Sequence, residues 1–69
     1  MPTRRNPSQR TLREAREIAA DLAARLDVYV WTENGVVFVD ACHYRRAVEA
    51  RKDQAKYGYN PRIKLAPFA

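Results

Sequence analysis

Apolar residues between Leu12 and Leu26 recur every three or four positions, and charged residues occupy the positions between them. This spacing is typical of an amphipathic α-helix that buries one face. Thr11 and Glu14 match the capping box, in which a hydroxyl and a carboxylate bind free backbone N–H groups at the start of a helix. Ser8 is an alternative N-cap one turn earlier. The pattern predicts a first helix from near Thr11 to Leu26.

A different pattern follows, in which two runs of β-branched and aromatic residues, 28–33 and 36–39, flank an Asn-Gly dipeptide at 34–35. Both residues of the dipeptide tolerate the positive φ angles that a type I′ turn requires. A two-residue turn also fixes the register of the strands and places Trp31 opposite Phe38. The sequence therefore predicts an antiparallel β-hairpin.

Alternation along the two strands gives the hairpin one aliphatic and one aromatic face. We expect the aliphatic face to pack on the first helix; it consists of Val28, Val30, Thr32, Val37 and Val39. The other face presents Tyr29, Trp31 and Phe38. These rings either lie beneath a second helix, covered by Tyr44 and Val48, or form an exposed interface or stacking surface. Burial beneath the second helix is the favoured alternative, because a two-stranded sheet is unstable unless its faces are packed.

The segment after the hairpin favours a second helix over residues 41–57. Asp40 is a favourable N-cap residue, and Gly58 suits the left-handed conformation that ends many helices. After a turn at 60–61, basic and apolar residues alternate over 62–65. This alternation indicates an extended tail or a short third strand at a sheet edge.

These elements define a small α+β domain in the order α-β-β-α. We expect it to span residues 11–60, with a flexible basic arm before it at 1–10 and an extended tail after it at 61–69. With 69 residues the chain forms one domain at most, and a domain of this size buries only about 60% of the surface of its unfolded chain. Self-association as a homodimer would add stability and remains an alternative.

Candidate chemistry is sparse in this chain. Cys42 is the only cysteine and His43 the only histidine, so an internal disulfide is excluded, and a structural zinc site, which takes about four ligands, is not expected. Neighbouring side chains on a helix do not face each other, which disfavours a thiolate–imidazole pair. The two glycines form no phosphate-binding loop. We predict no enzymatic activity, no cofactor and no metal.

The chain also lacks the sequence features of a membrane or secreted protein. No apolar run approaches the roughly 20 residues that span a bilayer, and no apolar core of a signal peptide follows the first residues. A single unpaired cysteine suits a reducing compartment. We therefore expect a cytoplasmic protein without a membrane partner.

The net charge of +5 is concentrated at the two ends of the chain, whereas residues 11–40 are slightly acidic. Such asymmetry favours an anionic partner, because Lys and Arg release condensed counterions when they contact phosphates. The candidate contacts in the arm are Arg4, Arg5 and Arg10. The candidate contacts on the second helix are Arg45, Arg46, Arg51, Lys52 and Lys56.

A hairpin next to a basic helix resembles the minimal winged DNA-binding modules of phage excisionases. Only one helix precedes the hairpin, however, so the sequence shows no helix-turn-helix motif. In size and charge the chain is similar to phage and plasmid accessory proteins such as the anti-CRISPR proteins. Two hypotheses follow. The first is a non-enzymatic protein of a phage or other mobile element whose basic surface engages nucleic acid or a nucleoprotein complex. The second is an inhibitor or regulator that binds a host protein through the aromatic side of the hairpin.

Overall fold

The computed structural model describes residues 7–69, and the arm residues Arg4 and Arg5 lie outside this range. Its elements are, in order, α1 (Gln9–Leu26), β1 (Val30–Glu33), β2 (Val36–Asp40), a 3₁₀ turn (Ala41–His43), α2 (Tyr44–Lys56) and β3 (Leu65–Phe68). The strands form one sheet in the order β1-β2-β3. The predicted α+β domain with a β-hairpin is confirmed. Within residues 7–69, no helix is both long and apolar enough to cross a membrane.

The first helix begins earlier than predicted. Ser8 is its N-cap, and the Ser8 hydroxyl accepts a hydrogen bond from the backbone N–H of Thr11 at 3.1 Å. The prediction of a capping box at Thr11 and Glu14 is therefore wrong, because Thr11 already lies within the first turn. Arg10 consequently belongs to α1 and not to an arm, and it pairs with Glu14 at 3.3 Å.

The β-hairpin has the predicted register, with Trp31 opposite Phe38. Asn34 and Gly35 adopt φ angles of 57° and 82°, the positive values that a type I′ turn needs. Gly35 is also buried, and a Cβ atom there would lie 3.2 Å from the side chain of Pro7. The chain just before α1 therefore packs against the hairpin turn, which ties the helix to the sheet.

The C-terminal segment contains a third strand, Leu65–Phe68, slightly beyond the position near 62–65 at which the sequence predicted one. β3 pairs in parallel with β2, and this pairing places Phe68 beside Asp40. Parallel neighbours need a crossover connection, which α2 provides. Ile63, just before the strand, is buried in the core, so this segment is an integral part of the domain.

The core lies between the two helices and the aliphatic face of the hairpin. Its buried apolar residues are Ala15, Ile18, Ala19, Leu22, Val30, Val37, Val39, Ala47, Ala50 and Ile63. The apolar side chains that α2 buries are small, Ala47 and Ala50, which allows the helix to approach its neighbours closely. The aliphatic face packs on α1 as predicted, and α2 joins α1 on the same side of the sheet.

The second helix starts later than predicted. A 3₁₀ turn occupies Ala41–His43, and Asp40 makes no side-chain capping hydrogen bond. Asp40 occupies the N-cap position of this turn, but the prediction that its side chain caps the helix is wrong. Asp40 is the last residue of β2, and strand alternation directs its side chain to the open side of the sheet. The predicted end is confirmed, because Gly58 has a φ of 96° and the N–H of Tyr59 donates to the last turn of α2 at 3.1 Å.

Candidate binding surface

The open side of the sheet carries the aromatic residues of the hairpin. Both helices pack on the aliphatic side, where Val37 is fully buried, so α2 does not cover Trp31 or Phe38. The favoured prediction that the second helix lies over the rings is wrong, and Tyr44 packs against the buried core instead. The physical reason is the crossover to β3, which carries α2 over the same side of the sheet as α1.

Four rings form one cluster on this side, and we call it the aromatic face: Tyr29, Trp31, Phe38 and Phe68. The ring centroids of Trp31 lie 5.2 Å from Tyr29 and 6.1 Å from Phe38, with the planes inclined by 16° and 20°. Phe68 meets Trp31 edge-on at 5.4 Å. Both arrangements are favoured for aromatic pairs. Trp31 is therefore the centre of the cluster, and Phe68 is a member that the sequence analysis missed.

The aromatic face is exposed at its margins and half-buried at its centre. The exposed fractions of Tyr29 and Phe68 are 75% and 52%, whereas Trp31 and Phe38 are half-buried. Single exposed apolar residues are normal on protein surfaces, but contiguous apolar patches with a polar border often mark interaction sites.

Acidic groups border the aromatic face. The indole N–H of Trp31 donates a hydrogen bond to the carboxylate of Glu33 at 3.3 Å. Asp40 is exposed and lies beside Phe68 in the pairing of β2 with β3. No basic side chain among residues 7–69 forms an ion pair with either carboxylate. The border of the aromatic face is therefore negatively charged, in contrast to the net positive charge of the chain.

The exposed basic residues of α2 lie on the other side of the molecule. α2 directs Ala47 and Ala50 into the core. Helical geometry then directs the exposed side chains of Arg45 and Lys56 away from the core, whereas Lys52 pairs with Glu49 and lines a groove beside Leu65 of β3. The aromatic rings lie on the open side of the sheet, whereas Arg45 and Lys56 lie on the outer side of a helix that packs on the aliphatic side. The first hypothesis needs the rings and the basic side chains on one surface, where they would stack with bases and bind phosphates together. The structure does not place them on one surface.

Two other basic residues of α2 are engaged within the fold. Arg51 donates hydrogen bonds to the backbone carbonyls of Asn60 and Ile63 at 2.8 and 3.0 Å, and burial lowers the pKa of its guanidinium. Arg46 donates to the carbonyl of Leu26 at 3.2 Å. Arg51 thus holds the segment that leads into β3, and Arg46 satisfies a carbonyl at the end of α1 that has no partner within the helix.

A buried polar residue links the two helices behind the sheet. The amide of Gln54 donates to the carbonyl of Ile18 at 3.2 Å and to the carboxylate of Asp21 at 2.8 Å, and it accepts from Arg51 at 3.0 Å. Burial raises the pKa of Asp21, but hydrogen bonds from Gln54 and Arg25 outweigh this effect and leave the pKa below its ordinary value. This network holds α2 at a fixed position on α1.

The chain matches no protein-family model, no curated protein and no solved structure. Its function is therefore argued from two surfaces on opposite sides of the molecule. One is the aromatic face with its acidic border, and the other is the basic outer side of α2.

Proposed function

We propose that the protein is a non-enzymatic binding protein that attaches to another protein through the aromatic face. The observation that supports this most directly is the position of Trp31, which contacts three other rings on the side of the sheet opposite both helices. Trp and Tyr often dominate the binding energy of protein interfaces. Removing this cluster from water supplies a driving force for association that folding alone leaves unused.

The aromatic face suits a protein better than a nucleic acid. A base stacks on the free face of a ring, but Trp31 already has Tyr29 and Phe38 stacked against it. The carboxylates of Glu33 and Asp40 would also repel a phosphate backbone. The partner that fits is a protein with an apolar patch bordered by Lys or Arg. A second copy of the chain fits less well, because its own acidic border would meet Glu33 and Asp40.

Selection of peptides from a displayed random library on the immobilised protein tests this proposal. We expect the selected peptides to combine aromatic or aliphatic anchors with Lys or Arg, which complement the face and its border. Trp31→Ala should weaken peptide binding by about tenfold or more, because central interface aromatics contribute about 2 kcal/mol or more. Tyr29→Ser, at the margin of the face, should weaken it measurably but by less than Trp31→Ala.

Tyr57 provides a matched control for Tyr29, because the exposed fractions of the two side chains are 76% and 75%. Tyr57 follows α2 and lies against the guanidinium of Arg25, away from the aromatic face. Tyr57→Ser should leave peptide affinity unchanged. Equal losses from the two tyrosine variants, or a selection dominated by acidic peptides, would contradict the proposal. A dimer in sedimentation that Trp31→Ala dissociates would identify a second copy as the partner instead.

The outer side of α2 supports nucleic-acid binding as a second candidate function. Arg45 and Lys56 are exposed and form no ion pair among residues 7–69, and the chain carries a net charge of +5. Such side chains bind phosphates without base specificity. A nucleoprotein complex would engage both surfaces, with its protein on the aromatic face and its nucleic acid on α2.

Titration of labelled single- and double-stranded oligonucleotides of about 20 nucleotides at increasing salt tests the second candidate. On duplex DNA, a plot of the logarithm of the affinity against the logarithm of the salt concentration should be a falling line. Its slope should be about −0.9 for each phosphate contacted. Replacing both Arg45 and Lys56 by Ala should reduce this slope by about two contacts, whereas Lys64→Ala, near the start of β3, should not. No detectable binding at low salt would exclude this function.

A further inference from the structure

We propose that Asp40, Cys42 and His43 form a binding site for a divalent transition metal of the zinc class. A carboxylate oxygen, the thiol sulfur and a ring nitrogen of these residues lie within 4.8 Å of one another. Three kinds of metal ligand thus converge where β2 passes into α2, a position for which the sequence predicted a capped helix and no metal. The site goes beyond the proposed binding function and does not depend on it.

The 3₁₀ turn brings the three side chains together. A 3₁₀ helix has three residues per turn, so side chains three positions apart lie above one another. Asp40 precedes the turn and His43 ends it, which places the two on the same side. Cys42 is exposed between them in sequence. The arrangement is a consequence of the turn that replaces the first turn of the predicted helix.

The side chains that flank Cys42 are not used to cap the helices. Asp40 and His43 occupy the N-cap positions of the 3₁₀ turn and of α2, and neither makes a side-chain capping hydrogen bond. Asp is among the residues that cap most effectively, so its side chain departs here from its usual local role. Its position as the last residue of β2 directs the carboxylate to the open side of the sheet, where it is free to act as a metal ligand.

The ligand set selects the class of metal. Thiolate and imidazole favour zinc and related transition metals, whereas magnesium and calcium prefer oxygen ligands. Tetrahedral zinc with bonds of about 2.0–2.3 Å holds its ligand atoms about 3.3–3.8 Å apart. Small rotations of these surface side chains would close the present separations, which reach at most 4.8 Å. Three protein ligands leave a fourth position for water or for a donor atom of a bound partner.

Metal binding would change the charge at one border of the aromatic face. The thiol of Cys42 loses its proton to solvent on coordination, and Asp40 binds as a carboxylate. A divalent cation would therefore leave the group neutral, beside Phe68 in the strand pairing. The site and the aromatic face are adjacent, but their ligands are chemically different and are tested separately.

Titration of the reduced full chain with cobalt(II), a spectroscopic substitute for zinc, tests the proposal. We expect a thiolate-to-cobalt absorption band that saturates at one cobalt per chain and disappears when zinc is added. Cys42→Ser should remove the band, and His43→Gln and Asp40→Asn should each weaken cobalt binding by about tenfold or more. Asp53→Asn, which removes an exposed carboxylate on α2, should leave binding unchanged.

Three results would overturn the metal site: no band with excess cobalt, saturation at one cobalt per two chains, or an affinity that His43→Gln or Asp40→Asn does not change. Far-UV circular dichroism of each variant confirms that the fold is retained. The peptide selection on the aromatic face is run without metal, so its failure and the failure of the metal site are distinguishable.

Discussion

The two faces of the three-stranded sheet are built by the same strands and have opposite environments. The aliphatic face holds Val37 and Val39 against the helices with no exposed surface. The aromatic face holds larger rings, including Trp31, and leaves Tyr29 75% exposed. Burial free energy scales with apolar area, so the larger rings would ordinarily be buried first. In this molecule burial follows the position of the helices and not the size of the side chains.

Both helices approach the aliphatic face closely because several of the side chains that they bury are small. α1 presents Ala15 and Ala19 to the core, and α2 presents Ala47 and Ala50. Such side chains pack closely against the valines of the sheet, whereas bulky rings would hold the helices further away. The aliphatic face therefore contributes most of the stability of the fold, and the aromatic face is left available for association.

The largest expected effect is in the core. Leu22 is fully buried, so Leu22→Ala should lower the free energy of unfolding by about 2–5 kcal/mol, measured by urea denaturation. Leu26→Ala, at a half-buried position at the end of the same helix, should cost less. Equal losses from the two variants would contradict the packing on the aliphatic side.

Removing the buried polar link between the two helices should cause the next largest loss of stability. Gln54→Met keeps the approximate volume but removes the amide that donates to Ile18 and Asp21. The free energy of unfolding should fall by about 1–3 kcal/mol, because buried acceptors lose their donor. Gln9→Met, at an exposed position in the first turn of α1, should change it by less than about 0.5 kcal/mol. A neutral Gln54→Met would show that the link does not hold α2 in place.

Trp31→Ala removes a larger side chain than Leu22→Ala but should cost less stability. The ring is half-buried, and its main contacts are the other rings of the aromatic face, so we expect a loss of about 1–2 kcal/mol. Urea denaturation of both variants under the same conditions measures the difference. A loss from Trp31→Ala that equals or exceeds that from Leu22→Ala would mean that the aromatic face is part of the core.

The smallest expected effect is on how the stability of the fold depends on pH. A hydrogen bond from Asn60 lowers the pKa of Glu14, whose ordinary value is 4.5, and the pKa of Asp21 lies below its ordinary 3.8. Folding therefore favours both carboxylates, and this stabilisation is complete near neutral pH and is lost as the pH falls through the lowered values. Melting temperatures measured from about pH 7 to pH 2 should decline in acid, and less steeply in Glu14→Gln. Identical slopes in the two proteins would contradict the Glu14 contact.

The hairpin was predictable because its determinants are local. The Asn-Gly turn sets the register and strand alternation sorts the faces, so the pairing of Trp31 with Phe38 followed from the sequence. The side of the sheet on which α2 packs was not predictable, because it depends on the crossover to β3. The pattern before β3 resembled a tail, and Pro67 within the strand weakened the strand signal further.

The candidate site was predictable only in part, for the same reason. Phe68 joins the aromatic face through the long-range pairing of β3, which no local pattern specifies. Gln54 was missed because it is polar, although its helical spacing from Ala47 and Ala50 places it on the buried side of α2. This spacing was the sequence signal from which the burial of Gln54 could have been predicted. It also places Arg51 near the buried side of α2.

Acrylamide quenching of tryptophan fluorescence tests the openness of the aromatic face most directly. Trp31 is the only tryptophan of the chain, so its emission reports on this face alone. Quenching of the folded, dilute protein should be readily measurable, slower than in the unfolded chain but clearly faster than for a tryptophan enclosed in a core. Emission that acrylamide leaves unquenched at every protein dilution would show that the ring is covered, and would contradict the separation of the two faces.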